Sequence, residues 1–309
     1  MYPPMEEVEA VPNCRAMTLF AAAAAILLVT AGCSRPAPRG PQGPGTGEQT
    51  IRQIGSTTML PLAEKWRSAF NAKHPGVSIA VSGGGSGTGI RALISKTAEI
   101  ADSSRDIEPE EVQQAKAAGV TPVSSVVALD GVAVIVNPGN PLKEISMKAL
   151  SDIYTGRTGD WGAAGAPGLG AIQLVSRDSA SGTYEVFKEK AVTLDGTDKS
   201  RDYAPQALKQ TSNEAVLALV GQTRNAIGYV GLGYVNKSVK VLAIVPMKGG
   251  SAVTPDEATV RGETYPIARK LYCVTNGEPM GVVKQYMDWI EGPEGQGIVE
   301  QVGFVPAGG

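Results

Sequence analysis

Three short clusters of glycine and hydroxylated residues carry the main chemical signal: Gly55-Ser56-Thr57-Thr58, Gly85-Ser86-Gly87-Thr88-Gly89 and Ser181-Gly182-Thr183. The first two follow β-branched runs, the third follows the run that ends in Arg177-Asp178, and all three precede stretches that read as helix, so each is expected at a helix N-terminus. Unpaired amides and the positive end of the helix dipole meet there, so N–H and O–H donors hold an anion without a full positive charge. Ser, Thr and Gly are also ordinary helix caps, and one cluster alone carries little weight. Together they point to an oxyanion site.

Arg177 and Asp178 open the third cluster in the run RDSASGT. An arginine there is a bidentate, charge-assisted donor to a tetrahedral oxyanion, and a surface pair with Asp178 is the bland alternative. Asp102-Ser103-Ser104-Arg105 follows the strand-like residues 99–101 and supplies a second arginine, with a simple Asx turn as its alternative. A carboxylate beside the anion has a use of its own: Asp102 or Asp178 would accept a hydrogen bond from a protonated oxyanion and repel one without a proton. Phosphate near neutral pH keeps a proton and sulfate does not, so either residue would give selectivity.

Enzymatic readings find less support. His74, the single histidine, lies in a Lys-His-Pro-Gly loop, leaving no second histidine for a zinc HExxH site. No lysine follows Gly89, so the glycine-rich run is not a Walker A loop, and Thr88 stands where a nucleophile elbow around Ser86 needs glycine. A formal net charge of -2 gives no electrostatic footprint for nucleic acid. Neither a metal nor an organic cofactor is expected.

The elements that must position these clusters alternate. Strands are predicted over 51–54, 77–81, 124–129, 132–136, 171–176, 227–230, 239–245 and 271–275, with helices between them, which is an α/β pattern with largely parallel sheets. Met59, Leu62, Ala63, Trp66 and Phe70 recur at helical spacing, as do Ile90, Leu93, Ile94 and Thr97. Pro109 opens a helix that Gly119 ends, Thr211 and Glu214 read as a capping box, and a stripe from Val282 to Ile290 stops at Gly292-Pro293. The length beyond Ile51 suggests two lobes.

Met17 to Ala31 is an apolar leader too short for a comfortable membrane span, closed by Thr30-Ala31-Gly32-Cys33 as in a lipoprotein signal. Residues 1–33 are therefore expected to be a signal peptide ending at a lipidated Cys33. Residues 34–50, dense in Pro and Gly, form a tether to the membrane. The remaining cysteines are Cys14, before the leader, and Cys273, inside an apolar run, so no disulfide is available within the mature domain and Cys273 reads as a small buried hydrophobe.

From about Ile51 to Pro306 the chain resembles the PstS family, phosphate-binding proteins of the high-affinity phosphate ABC transporter. The resemblance rests on the three clusters together with Asp130 to Pro141 (DGVAVIVNPGNP), Ile153-Tyr154-Thr155-Gly156 with Trp161, Ala226 to Val235 (AIGYVGLGYV) and Tyr265-Pro266-Ile267-Ala268-Arg269. It implies a type II periplasmic-binding-protein fold, with two α/β lobes, a hinge of two strands, and inorganic phosphate held dehydrated in the cleft. Residues 51–126 and about 236–309 would form the first lobe, and about 127–235 the second. The family's ligand contacts carry over to Ser56, Thr57, Thr58, Ser86, Arg177, Ser181, Gly182 and Thr183. Larger members have an Asp after the third strand that accepts the ligand's proton, whereas this chain reads Ser103-Ser104-Arg105. Asp102 is then either that acceptor or a residue out of register with it; in the second case Arg105 adds positive charge, and Asp178 or a backbone carbonyl discriminates against sulfate. A monomer that delivers its ligand to ABC permease subunits outside the cytoplasm is expected. The rival readings are the same fold with molybdate, tungstate or sulfate as ligand, and a phosphatase-like enzyme using the same cleft.

Overall fold

The computed structural model describes residues 49–308. The leader, Cys33 and nearly all of the expected tether lie outside the described residues. In chain order the first elements are β1 (Gln49–Gly55), α1 (Leu60–Lys73), β2 (Val77–Ser82), α2 (Ser86–Ile94), β3 (Ile100–Ser103), α3 (Pro109–Ala117) and β4 (Pro122–Val136). There follow β5 (Glu144–Ser146), α4 (Met147–Tyr154), β6 (Gln173–Arg177), α5 (Gly182–Phe187), β7 (Leu208–Gln210), α6 (Asn213–Gln222) and β8 (Ala226–Gly231). The chain closes with β9 (Lys240–Val241), β10 (Ala243–Val245), α7 (Glu257–Arg261), β11 (Ala268–Asn276), α8 (Gly281–Glu291), α9 (Pro293–Val302) and β12 (Val305–Pro306).

Local signals account for many of these boundaries. A proline stands in the first turn of α1, and Leu62, Ala63, Trp66 and Phe70 form its buried stripe. Glu108 and Glu111 make a reciprocal capping box that starts α3. The cap of α6 is Ser212, whose hydroxyl accepts from the Ala215 amide, and not the expected Thr211, one residue earlier. Gly292 ends α8 as expected, but Pro293 then opens α9, because proline's fixed φ suits a first helical turn.

The strands join in the order β2-β1-β3-β11-β4-β8-β6-β7. β1 is parallel to β2 and β3, and β6 is parallel to β7 and β8, while β11 enters antiparallel between β3 and β4. This is the mixed α/β architecture of a type II binding-protein fold. The two strands expected over 124–129 and 132–136 are one, since β4 runs through Asp130-Gly131 unbroken. Its first part pairs β11 as far as Gly131, and its second part pairs β8 from Val132 onward.

Each half of this path is covered on both faces by apolar side chains. In the first half Trp66, Phe70, Val127, Cys273, Tyr286 and Ile290 share one cluster, and Leu93, Ala101, Ala115 and Val274 share another. In the second half Val132, Leu150, Trp161 and Phe187 form one cluster, and Ala133, Val216 and Val230 form another. Residues 236–267 do not return to the first half as the expected boundary required. Leu242, Ile244, Val260, Tyr265 and Ile267 pack with Val132 and Trp161, and β10 pairs β5. Burial of those apolar side chains keeps the chain in the second half until β11 begins. His74 stacks on Phe70 at a ring separation of 4.1 Å, a packing role at the end of α1.

Candidate functional site

The three clusters meet where the two halves face each other. The Thr58 and Thr183 hydroxyls lie 2.9 Å apart, both side chains buried. Gly87 donates its amide to the Ala180 carbonyl at 3.3 Å. Ser86 Oγ accepts from the Ser104 amide at 3.0 Å, and the Ser86 and Ser104 hydroxyls are 3.3 Å apart. Two glycines permit this closeness. A Cβ on Gly182 would lie 2.5 Å from Ser86 Oγ and 2.6 Å from Ser104 Oγ, and one on Gly85, at φ +98°, would lie 2.3 Å from the Ala180 carbonyl oxygen. Backbone and hydroxyl donors from both halves are thereby packed into one small volume.

Arg177 is the charged member of this group. It ends β6 and is wholly buried, at 0% exposure. From behind, Nε donates to the Gln210 carbonyl, Nη1 to Asn213 Oδ1 and Nη2 to the Thr211 carbonyl, at 3.2, 3.1 and 3.0 Å. Nη2 also donates to Thr57 Oγ1 of the other half at 2.7 Å. The Tyr229 hydroxyl accepts from the Arg177 amide and so fixes its backbone. All of these acceptors are neutral. Among the described residues no carboxylate lies within ion-pair distance of Arg177, and burial lowers its pKa, with the Asp178 charge opposing that shift. Ser181 caps α5 by accepting from the Thr183 and Tyr184 amides.

The two carboxylates expected at the site have partners of their own. Asp102 points into the first half, where Oδ1 accepts from Gln53 Nε2 at 2.9 Å and from Cys273 Sγ at 3.4 Å. Its register on β3, opposite Cys273, turns the side chain inward, and burial pushes its pKa up to about 7. Only its carbonyl reaches the clusters, accepting from the Ser56 amide at 2.8 Å. Asp178 is half-buried and accepts from the Ala180 amide at 3.0 Å within its own turn, so the alternative of an Arg177–Asp178 surface pair is not what forms. Arg105 is likewise engaged by carboxylates: Nη1 and Nη2 each donate to Glu111 at 2.7 Å, and Nε contacts Glu185. Burial pushes the Glu185 carboxyl up to about 7, with Arg105 opposing and Glu108 and Glu111 adding to the shift.

Sequence reasoning from residue chemistry did not single out Arg269, Asp130 or Asn213. Arg269 on β11 lies directly opposite Asp130 on β4, and their ion pair is 2.6 Å long with side chains 2% and 0% exposed. Arg269 also donates to Thr183 Oγ1 at 2.8 Å and Thr58 Oγ1 at 3.3 Å, tying the pair to the clusters. Desolvation still raises the pKa of Asp130 despite this partner. The signal available was that these two residues end and begin two of the recognised blocks. A groove of about 780 Å³ runs beside the clusters and holds Arg105, Glu185, Lys188, Arg269 and Tyr272, but neither Arg177 nor Ser86. The donors gather next to it.

Comparison with known proteins agrees with this architecture. Residues 40–294 match the model of the PBP superfamily domain. The phosphate-binding protein PstS of Pseudomonas aeruginosa is 30% identical over 278 residues, covering 83% of this chain and 82% of that protein. PstS of Borreliella burgdorferi is 30% identical over 261 residues, covering 84% and 90%. The crystal structure of an ABC transporter substrate-binding protein from Clostridium perfringens with bound phosphate superposes with a TM-score of 0.73 at 29% identity, covering 84% of this chain and all of that one. Fold, clustered donors and sequence relationship agree, and the chain belongs to the PBP superfamily and, within it, to the PstS family.

Proposed function

We propose that this protein binds inorganic phosphate between its two lobes and delivers it to the permease subunits of an ABC importer. The observation that carries the reading is Arg177: a wholly buried guanidinium, fixed by neutral acceptors, with no carboxylate within ion-pair distance among the described residues and only the neighbouring Asp178 charge acting on it from further away. An uncompensated buried charge is costly, and a bound oxyanion supplies what the protein does not. Ser56, Thr57, Thr58, Ser86, Ser104, Ser181, Gly182 and Thr183 complete the shell with neutral donors. In this reading the first lobe runs from β1 to about the middle of β4 and resumes at β11, and the second lobe lies between. Closure follows because the anion bridges donors of both lobes.

A binding role fits Ser181 better than a nucleophilic one, since its hydroxyl caps α5 and, among the described residues, no histidine or lysine hydrogen-bonds to it. Delivery to an importer implies a place outside the cytoplasm, with Cys33 as the lipid anchor and a monomeric receptor.

Titration calorimetry on ligand-stripped protein tests the reading, with phosphate, sulfate and molybdate in turn and a phosphomonoester hydrolysis assay alongside. Phosphate binding without hydrolysis is expected. Binding of molybdate or sulfate in its place, or metal-independent turnover lost in Ser181→Ala, would sink it.

A further inference from the structure

Arg105 was expected to add positive charge to the ligand site, yet its guanidinium faces carboxylates. Nη1 and Nη2 donate end-on to the two oxygens of Glu111 on α3, and Nη1 also donates to the Asp106 carbonyl at 2.8 Å. These partners lie in the same lobe, so Arg105 stays in place whatever the other lobe does. Its remaining edge, Nε, meets Glu185 Oε2 of α5, in the opposite lobe. Both atoms are buried, and among the described residues neither has another hydrogen-bond partner. Glu185 also lies within the first turn of the helix that begins at Gly182 and Thr183, so moving it moves the proposed donors.

We infer that Arg105 and Glu185 are positioning residues that form an interlobe latch, holding the cleft closed without touching the bound anion. The role as a latch for phosphate rests on the function proposed above; the contact itself does not. Opening the cleft hydrates Glu185 and leaves Arg105 paired with Glu111, so the latch acts on the closed state alone. It therefore governs release, because encounter takes place with an open cleft. Phosphate loss is resisted by the latch in addition to the ligand's own contacts.

Stopped-flow kinetics on Glu185→Ala, Arg105→Met and the double variant test this. Each single change is expected to speed phosphate release about tenfold, equivalent to about 1.4 kcal/mol. Association should stay within about twofold of the parent, since variation among mutants of one site falls mainly on release. The double variant should release no faster than either single one, because both remove one contact, and Glu185→Gln, which keeps an oxygen acceptor, should recover part of the loss. Unchanged release in Glu185→Ala overturns the latch. So does abolished binding in Arg105→Met alone, which would make Arg105 a ligand contact. If the parent binds no phosphate, the functional reading fails by itself. Small-angle scattering on ligand-free protein then decides the latch: wider lobe opening in both single variants supports it, and identical profiles overturn it.

Discussion

Two buried arginines reach different threonines of the same clusters, Arg269 the Thr58 and Thr183 hydroxyls and Arg177 the Thr57 hydroxyl, and they differ in their counter-charge. Arg269 faces Asp130 across the β4–β11 pair, where the two strands pass between lobes, and its charge is compensated within the fold. Arg177 is at least as buried, is hydrogen-bonded to carbonyls, an amide oxygen and a hydroxyl, and among the described residues has no carboxylate within ion-pair distance. Burial alone therefore does not distinguish the two; the distance to the nearest carboxylate does. The paired arginine braces Thr58 and Thr183 at the β4–β11 crossing, and in the function proposed above the unpaired one completes its shell with an anion.

The sharpest way to break this contrast is to remove the counter-charge from the paired arginine. Asp130→Ala should lower unfolding stability by ~3–5 kcal/mol in urea, and Asp130→Leu with Arg269→Met should recover most of it. An unchanged midpoint for Asp130→Ala would mean that Asp130 does not compensate Arg269. Arg177→Met should act on binding instead. Phosphate affinity is expected to fall at least about a hundredfold, ~2.7 kcal/mol, while ligand-free stability holds or rises slightly. Destabilisation of Arg177→Met as large as that of Asp130→Ala would erase the distinction between the two sites.

The smallest effect depends on pH and concerns Asp102, a buried carboxyl with neutral partners only. Its folded pKa is raised from 3.8 to about 7, so the native state keeps a proton that the unfolded chain gives up. Its contribution is then most favourable below the unfolded value and is lost as pH rises through the folded one. Asn at this position has no proton to lose, so Asp102→Asn should gain about 2–3 kcal/mol relative to the parent between pH 5 and pH 8. Urea unfolding at the two pH values checks it, and a constant difference would show that Asp102 does not titrate in the folded protein. Phosphate affinity well below neutral pH should barely change in this variant, because the carboxyl faces away from the clusters.

Several features were legible in the sequence because their signals are short-ranged. The stripe on α1, the proline that opens α3, the strand runs and the three hydroxyl clusters are read within a few residues, since capping and amphipathic periodicity act over one or two helical turns. Arg177 was legible too, because its place between a strand and a Ser-Gly-Thr turn is local. The fate of the other charges was not. Asp102 is turned toward Cys273, 171 residues away, by its register in the sheet, and Arg269 meets Asp130 across 139 residues. Arg105 is claimed by Glu111 and Glu185 because β3, α3 and α5 converge there. Residue types and their spacing determined that this chain could gather donors for an anion. Only the tertiary structure decided which charges were already compensated, because charge compensation depends on separation in space, and strand pairing brings together residues that the chain keeps far apart.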